Sequence, residues 1–396
     1  MIRVNRKRTV SPATPSEPQQ IKLLPLDLQM MFAQYIQQGL LYQIPGSNFS
    51  SQVDLLAETL SRMLVKFYPL ARRLTTSPVD GGIYILCNDS DVDFIEAMAG
   101  ELSIADLIVT QLKDGVSVCC TVNHAVADGT SFWNFFNSWA ELCRTNETKI
   151  SANPTYNRYL LDCDGSAVRL GLDPNGQIPR FCPPLLRVKM FHFSAHTIKR
   201  LKERANRDSP VTVSSFQALC GHLWQAVTRA RGLGPDETAT FQLSVNCRPR
   251  LIPPLSESYF GNAVQAIFVT STAGELNRLP LSFPAGLLNS LIGGQRDGAI
   301  RESIGKWVKE PVVYKFEELV KNVLMVGSSP RFEIYENDFG WGGPVALRCG
   351  TNNHFDGMVS AFPGREGGGS VEFEICLLPP TMNALEIDQD FICPLH

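Results

Sequence analysis

The sequence lacks both a surplus of positive charge and any long apolar run. Its 36 lysine and arginine residues are balanced by 39 aspartate and glutamate residues, so the net charge is -3. Nucleic acid is therefore not an expected partner, because binding a phosphate backbone requires clustered positive charge. No apolar stretch reaches the roughly 20 residues needed to cross a bilayer, since glutamines interrupt even the segment from Leu23 to Tyr42. We expect no transmembrane segment.

Signals for secretion and for covalent hydrolysis are also missing. The basic opening, Met1 to Arg8, is not followed by an apolar region and a small-residue cleavage site, so we expect it to begin the mature chain. No Gly-x-Ser-x-Gly nucleophile elbow occurs, which disfavours a serine hydrolase with an acyl-enzyme. The glycine-rich stretch from Gly364 to Ser370 lacks the Lys-Ser/Thr pair of a phosphate-binding loop, and it predicts a hairpin turn instead.

The cysteines and histidines indicate neither a disulfide framework nor a metal site. The 11 cysteines are odd in number and irregularly spaced, and most lie in apolar segments. This pattern is typical of free buried thiols in a reducing compartment, so we expect a cytoplasmic protein. His192 and His196 are four residues apart, but no third ligand accompanies them, and we predict no metal site.

The composition is that of a folded protein with more than one domain. The chain has 396 residues, of which 44% are hydrophobic and 19% charged. At roughly 150 residues per domain, this length suggests two or three domains. Strand-like and helix-like segments alternate, which favours an α/β or α+β architecture with mixed sheets. Gly, Pro, Asp and Asn recur without periodicity between Asn153 and Pro184, so we place a boundary near Pro183, with domains at 1–183 and 184–396.

Hydrophobic periodicity and turn residues predict the individual elements. The first half has a helix around Leu55–Leu64, a strand at Ile83–Cys87, strands at Leu107–Leu112 and Val116–Val122, and a helix after Gly129. The second half has a strand at Val188–Phe193, helices at Ala195–Ala205 and Ser214–Arg229, and a strand at Thr240–Val245. The second half thus loosely repeats the first.

The junction between a strand and a helix at Asn123 to Thr130 carries a histidine, His124. A neutral imidazole, with an ordinary pKa near 6.5, can accept a proton from an alcohol or an amine. Asp128 follows four residues later, where it could orient the imidazole as the aspartate of a Ser-His-Asp triad does. From this spacing alone, a histidine that is simply hydrogen-bonded in a turn is the favoured interpretation.

A second motif, Asp338-Phe339-Gly340-Trp341-Gly342, lies 214 residues downstream of His124. With both motifs in this order, the chain resembles the plant BAHD family of acyl-CoA-dependent acyltransferases, whose marks are HxxxDG and DFGWG. The resemblance covers nearly the whole chain. Further segments similar to the family follow in family order: Leu24 to Asp27, Phe67 to Ala71, and Tyr259 to Asn262.

The resemblance implies a fold and a reaction. The fold would be α/β, with two domains that each resemble chloramphenicol acetyltransferase, mixed sheets, and an active-site channel at the domain interface. His124 would be the general base that deprotonates the acceptor hydroxyl or amine as it attacks the thioester of acyl-CoA. Acyl-CoA and a small plant metabolite would be the only partners, no cofactor would be permanently bound, and the protein would be a monomer.

The resemblance also implies roles for other residues. Asp128 would point away from His124 and pair with an arginine, with Arg248 as the first candidate and Arg250 as the second. Asp338, Gly340, Trp341 and Gly342 would be mainly structural at the site, although Trp341 or its neighbouring backbone is an alternative donor to the oxyanion. Contacts to CoA would come from the Asn246 to Arg250 segment, with Arg250 the residue chosen there, and from Ser214 and Ser215.

The chain departs from the family pattern between Asp106 and Leu107, where a long loop is shortened. An inactive or regulatory member that binds ligand without transfer is therefore the alternative function, and a lyase is a third. Ala263 stands where anthocyanin-acylating members usually have cysteine, so malonylation of flavonoid glucosides is not expected. The stretches His124–Trp139 and Asp356–Gly369 resemble an uncharacterised group that includes cuticle-related proteins, which leaves fatty acyl and hydroxycinnamoyl donors both open.

Overall fold

The computed structural model describes residues 3–15, 19–43, 49–87, 90–98, 115–147, 149–158, 168–170, 184–207, 209–311 and 321–393. The strands, in chain order, are β1 Arg3–Val10, β2 Gln19–Lys22, β3 Ile36–Gln43, β4 Arg73–Thr76, β5 Ile83–Cys87, β6 Val92–Met98, β7 Gly115–Val122, β8 Arg187–Phe193, β9 Thr238–Asn246, β10 Val264–Thr272, β11 Val323–Ser328, β12 Ala346–Cys349, β13 Met358–Pro363 and β14 Val371–Leu377. The helices are α1 Pro25–Gln29, α2 Phe49–Lys66, α3 Gly129–Thr145, α4 Ala195–Arg207, α5 Ser215–Ala230, α6 Ala273–Arg278, α7 Ser282–Gly293, α8 Asp297–Lys309, α9 Pro379–Ile387 and α10 Gln389–Ile392.

The C-terminal half is built on one six-stranded mixed sheet with the order β10-β9-β11-β13-β14-β8. Its central strand, β11, runs parallel to both neighbours, so β9, β11 and β13 all end at the same edge of the sheet. Alternate residues such as Phe241, Val326 and Phe373 face one side, where they form a core with α5 and its neighbouring helices. Trp224 of α5 is 1% exposed at the centre of this core.

The described strands of the N-terminal half form three small sheets, with the orders β1-β6, β2-β5-β4 and β12-β3-β7. Helices α2 and α3 pack together above them around an aromatic core that contains Phe132, Phe136 and Trp139. Strand β12 belongs to the second half of the sequence but pairs antiparallel with β3. The two halves are thus joined by a segment that crosses from one to the other.

Most predicted elements are present, with small changes at their ends. The helix expected after Gly129 runs to Thr145, and the strand expected at Ile83–Cys87 has those bounds. The glycine-rich turn does connect two antiparallel strands, β13 and β14. The predicted strand Leu107–Leu112 and the domain boundary near Pro183 lie outside the described residues. In the portions of the chain that the structure describes, no helix is long and apolar enough to traverse a bilayer.

Candidate active site

His124 lies in a short turn that connects β7 to α3. The turn is closed by the backbone N–H of Val126, which donates to the carbonyl oxygen of Asn123 at 3.0 Å. The side-chain oxygen of Asn123 accepts from the N–H of Ala125 at 2.9 Å. Ala125 is fully buried, whereas His124 stays partly exposed. The turn is therefore anchored in the protein, while His124 keeps part of its surface exposed.

Asn262, from the other half of the chain, holds the backbone of His124. Its side-chain Nδ2 donates to the His124 carbonyl oxygen at 2.8 Å and to Oδ1 of Asp27 at 3.1 Å. The backbone N–H of Asn262 donates to the same Asp27 oxygen at 3.1 Å. Asp27 is 1% exposed, and its second oxygen accepts a hydrogen bond from the guanidinium of Arg158. The Asp27–Arg158 pair thus fixes Asn262, and Asn262 fixes the turn that carries His124.

The environment of the imidazole keeps it neutral at physiological pH. Burial lowers the pKa of His124 below its ordinary value of 6.5. Three groups favour the protonated form: the backbone carbonyl of His124, the charge of Asp128 and the side chain of Asn262. The effect of burial outweighs all three. Its Nδ1 atom and the Asn262 Oδ1 atom are both buried without a well-aligned hydrogen bond to any described residue. A small movement would pair these two atoms, because one can donate and the other accept.

Asp128 and Arg248 form a bidentate ion pair at the domain interface. Nη1 of Arg248 lies 2.7 Å from Oδ2 of Asp128, and Nη2 lies 3.1 Å from Oδ1. Both side chains are 0% exposed. Nη2 of Arg248 also donates to the carbonyl oxygens of Tyr259 and Gly261 and to the Ser131 hydroxyl. The pair therefore ties the start of α3 to the segment just before Asn262.

The carboxylate of Asp128 is directed away from His124. Besides Arg248, it accepts from the backbone N–H of Ser131, which caps α3, and from that of Ala263, both at 2.9 Å. Burial alone would raise the pKa of Asp128, but Arg248 and these hydrogen bonds outweigh it and hold the pKa below its ordinary value. Asp128 is thus charged and fully engaged. Arg250, the second candidate partner, instead donates to the carbonyl oxygens of Ile292 and Gln295.

The glycine of the first motif makes room for the segment that follows β11. A Cβ atom at Gly129 would lie 3.0 Å from the ring of Phe332. The same ring packs near Trp133 of α3, with centroids 6.4 Å apart. A larger residue at position 129 would therefore crowd the Phe332 ring, which would have to shift to make room.

The DFGWG motif forms a tight loop around the carboxylate of Asp338. One oxygen of Asp338 accepts from the N–H groups of Gly340, Trp341 and Gly342 at 2.7 to 2.9 Å. Gly340 and Gly342 have φ angles of 98° and 87°, which residues with a side chain rarely adopt. Phe339 is 1% exposed within the N-terminal aromatic core. The motif thus inserts an aromatic anchor from the second half into the first.

This loop lies far from His124. Asp338 is 3.7 Å from the guanidinium of Arg144, which is close to the C-terminal end of α3. His124 is next to the N-terminal end of the same helix. Because α3 has 17 residues and rises about 1.5 Å per residue, roughly 20 Å separate the two ends. Trp341 stacks on Phe339 with ring centroids 5.6 Å apart, so its indole belongs to this remote cluster.

The residues predicted to contact CoA already have partners in the protein. Ser214 caps α5 by accepting from the N–H of Gln217, whose side chain bonds back to the N–H of Ser214. Ser215 is the first residue of that helix. Arg250 is two residues from Arg248 and donates to two backbone carbonyl oxygens. The contact of these residues with CoA stays a prediction.

Sequence reasoning missed the roles of Asn262, Asp27 and Arg158. Asp27 and Asn262 lie in segments that resemble the family, but this resemblance assigned no role to either residue. Asn262 follows a Tyr-Phe-Gly sequence and Asp27 follows Leu-Pro-Leu. A buried polar residue within an apolar segment is the signal that could have pointed to them, because such a group needs a partner.

Comparison with known proteins gives consistent matches over the whole chain. The family model described as "Transferase family" matches residues 1–108 and 103–392. The chain is 33% identical to BAHD acyltransferase DCR of Arabidopsis thaliana, over 99% of this chain and 92% of that protein. The fold is similar to that of vinorine synthase, with a TM-score of 0.75 and 22% identity over 97% and 96% of the two chains. It is also similar to TRI101 of F. sporotrichioides in complex with coenzyme A and T-2, with a TM-score of 0.73 and 17% identity over 95% and 98%.

These comparisons also indicate that this chain lacks residues that a relative has. The alignment with DCR extends over 451 positions, whereas this chain has 396 residues, so at least 55 positions of the alignment have no counterpart here. The two matches to the family model meet at residues 103–108. This interruption coincides with the shortened loop expected between Asp106 and Leu107, which lies outside the described residues.

Proposed function

Because this chain belongs to the Transferase family, the BAHD acyl-CoA-dependent acyltransferases, we propose that it moves an acyl group from acyl-CoA directly to a hydroxyl or amine of a small plant metabolite. The observation that carries the proposal is the position of His124. Its neutral, partly exposed imidazole is held at the junction of the two halves by groups from both. A neutral base in a fixed position is what this reaction requires.

In the proposed reaction, Nε2 of His124 takes the proton of the acceptor as the acceptor attacks the thioester carbonyl. In this proposal Nδ1 keeps its hydrogen, and the nearby acceptors are the backbone carbonyl oxygen of His124 and the side-chain oxygen of Asn262. The tetrahedral intermediate then collapses, and the CoA thiolate leaves with the proton that His124 held. No acyl-enzyme forms, since the acceptor attacks acyl-CoA itself.

The remaining site residues have supporting roles in this proposal. Asn262 is a positioning residue that acts through the His124 backbone and ring. Asp128 and Arg248 are structural, because their charges satisfy each other. Asp338, Gly340, Trp341 and Gly342 join the two halves of the chain at the far end of α3. A part for Trp341 at the oxyanion is disfavoured by the length of that helix.

The pH dependence of kcat/KM should report the base. Activity requires neutral His124, and burial lowers the pKa of this group below 6.5. We therefore expect kcat/KM to be constant around neutral pH and to fall on the acid side with a midpoint below 6.5, because a lower pKa keeps the imidazole neutral to lower pH. A pH profile of kcat/KM at subsaturating acyl-CoA measures this midpoint, and a midpoint above 6.5 would contradict the assignment.

Replacing Asn262 with alanine should lower kcat by about 10²-fold, because a misplacement of the base by about 1 Å costs that much. KM for acyl-CoA should not change. The acid midpoint should also move to lower pH, since Asn262 favours the protonated imidazole. Steady-state kinetics and the pH profile measure both effects. The exposed Asn352→Ala is the matched control, and an Asn262→Ala enzyme with normal kcat would show that Asn262 does not position His124.

The test of the proposed function is CoA release from the purified protein. Aliphatic, benzoyl and hydroxycinnamoyl CoA donors would each be supplied with pooled alcohols and amines, and free thiol would be followed over time. Release that depends on an acceptor establishes the transferase and identifies its donor class. The bound coenzyme A in the similar TRI101 structure supports acyl-CoA as the co-substrate.

The alignment positions that have no counterpart here, at least 55 in number, favour one second candidate, a family member that binds ligand without transferring an acyl group. Calorimetry with CoA distinguishes the two candidates. CoA binding without turnover of any donor in the panel would establish the inactive protein.

We also propose that the protein acts in the cytoplasm as a monomer with the domains 1–183 and 184–396. The eight cysteines whose side chains the structure describes are all free thiols, which supports a reducing compartment.

A further inference from the structure

Ser328, the last residue of β11, has an unusual backbone conformation. Among the described residues that are not glycine, three have a positive φ angle: Asn146, Asn322 and Ser328. Asparagine tolerates this left-handed region well, and Asn146 is the C-cap of α3. Serine has no such preference, so the φ of 64° at Ser328 is held there by the surrounding structure.

The hydroxyl of Ser328 is also unsatisfied. Its oxygen is buried and has no hydrogen-bond partner among the residues that the structure describes. Buried hydroxyl groups normally find a partner, because losing contact with water without one is costly. The neighbouring Ser329 differs in this respect, since its hydroxyl oxygen accepts from the N–H of Arg331 at 3.2 Å. Ser328 thus has both a strained backbone and a free donor.

The register of the C-terminal sheet places Ser328 beside the segment that anchors the His124 turn. Val326 is level with Leu243 of the parallel strand β9, and Ser328 is level with Ala361 of β13. Ser328 thus lies at the end of β11 toward which β9 also runs, and Arg248, the partner of Asp128, is two residues beyond the end of β9 at Asn246. Ser328 therefore lies at the edge where β9, β11 and β13 all end, and in open α/β sheets ligands bind at this edge.

The chain beyond Ser328 returns to the same place. Phe332 touches Gly129, which directly follows Asp128. Four residues span at most about 14 Å, so the backbone of Ser328 lies within that distance of the backbone of Phe332, whose ring reaches the start of α3. The two constraints are independent, since one comes from strand register and the other from a side-chain contact.

We propose that the Ser328 hydroxyl donates a hydrogen bond to the thioester carbonyl oxygen of acyl-CoA as that oxygen becomes an oxyanion. The proposal rests on the acyl transfer proposed above. The acceptor oxygen or nitrogen forms a bond to the carbonyl carbon, the π pair moves to the carbonyl oxygen, and the acceptor proton goes to Nε2 of His124. When the carbonyl re-forms, the C–S bond breaks and the CoA sulfur takes that proton. Ser328 keeps its own proton throughout and stabilises the charge only while it exists.

Paired variants at position 328 separate the hydroxyl from the backbone. Ser328→Gly removes the hydroxyl and adopts a positive φ without strain. We expect it to lower kcat by about 10²-fold, as the loss of one oxyanion donor does, with KM for acyl-CoA unchanged and Tm equal or higher. Ser328→Ala should lose the same activity and also some stability. The assay is CoA release with the most active donor of the panel.

Two controls make the result decisive. Ser329→Ala removes an adjacent hydroxyl and should behave as wild type. S-ethyl-CoA, a thioether without a carbonyl oxygen, should bind equally to wild type and Ser328→Gly in calorimetry. A Ser328→Gly enzyme with full kcat, while His124→Ala is inactive, would overturn the role of Ser328 and leave the proposed function intact. Absence of turnover in wild type would overturn the proposed function and this role with it.

Discussion

Replacing His124 with alanine is expected to lower kcat by about 10²- to 10⁴-fold, the contribution that a positioned general base makes. The imidazole is the one titratable group that Asn262 and the β7–α3 turn hold in place while leaving it partly exposed. Without the imidazole, water must take the proton of the acceptor. CoA release under saturating acyl-CoA and acceptor measures the effect, and KM for acyl-CoA should change little.

The control for this variant is His192→Ala. His192 lies on β8, on the outer edge strand of the C-terminal sheet, and it faces Glu366 and Glu372. Losing it should leave kcat unchanged. A His124→Ala protein that folds and retains full acceptor-dependent release would refute His124 as the base, whatever the other site variants do.

Local patterns in the sequence were sufficient to predict α3. Phe132, Phe135, Phe136 and Trp139 recur at helical spacing, and Asp128 precedes them, so both the buried face and the start of the helix follow from residues that are near in sequence. The pairing of Asp128 with Arg248 spans 120 residues and came only from the family resemblance. No spacing rule relates two such positions.

Other parts of the site could not be predicted, because they depend on how the two halves meet. Asp27 and Asn262 are 235 residues apart, and each occurs in a short segment without periodicity. The remoteness of Trp341 from His124 follows from the length of α3 and from the Arg144 to Asp338 contact. A motif near the C-terminus gives no information about which end of a helix it will meet.

The N-terminal half differs most from the expectation that the two halves resemble each other. Its described strands form three sheets of two, three and three strands, while the C-terminal half has one sheet of six. The two matches to the family model meet at residues 103–108, between β6 and β7. The turn that carries His124 is held instead by residues in the segment that connects β9 to β10 of the C-terminal sheet.

Breaking the buried ion pair should be the most destabilising change at the site. Arg248→Met leaves the carboxylate of Asp128 buried without its counter-charge, and we expect the free energy of unfolding to fall by about 3 to 5 kcal/mol. Denaturant unfolding followed by fluorescence measures the loss. The exposed pair Glu302 and Lys306 is the matched control, with side chains 65% and 75% exposed. Glu302→Gln should leave the free energy of unfolding almost unchanged, because solvent screens an exposed pair.

The double variant Asp128→Asn with Arg248→Met tests whether the cost comes from an unpaired charge. Removing both charges leaves neither one unpaired, so the double variant should lose less stability than the two single variants lose in sum.

The stability that the pair confers should also depend on pH. The pKa of Asp128 is lower in the folded protein than its ordinary value, so this stability is fully present above about 3.9 and is lost as the pH falls from there through the folded pKa. Equal stability of wild type and Arg248→Met at neutral pH would mean that the hydrogen bonds from Ser131 and Ala263 alone satisfy the carboxylate, and the turn that carries His124 would then owe its position to Asn262 and Asp27.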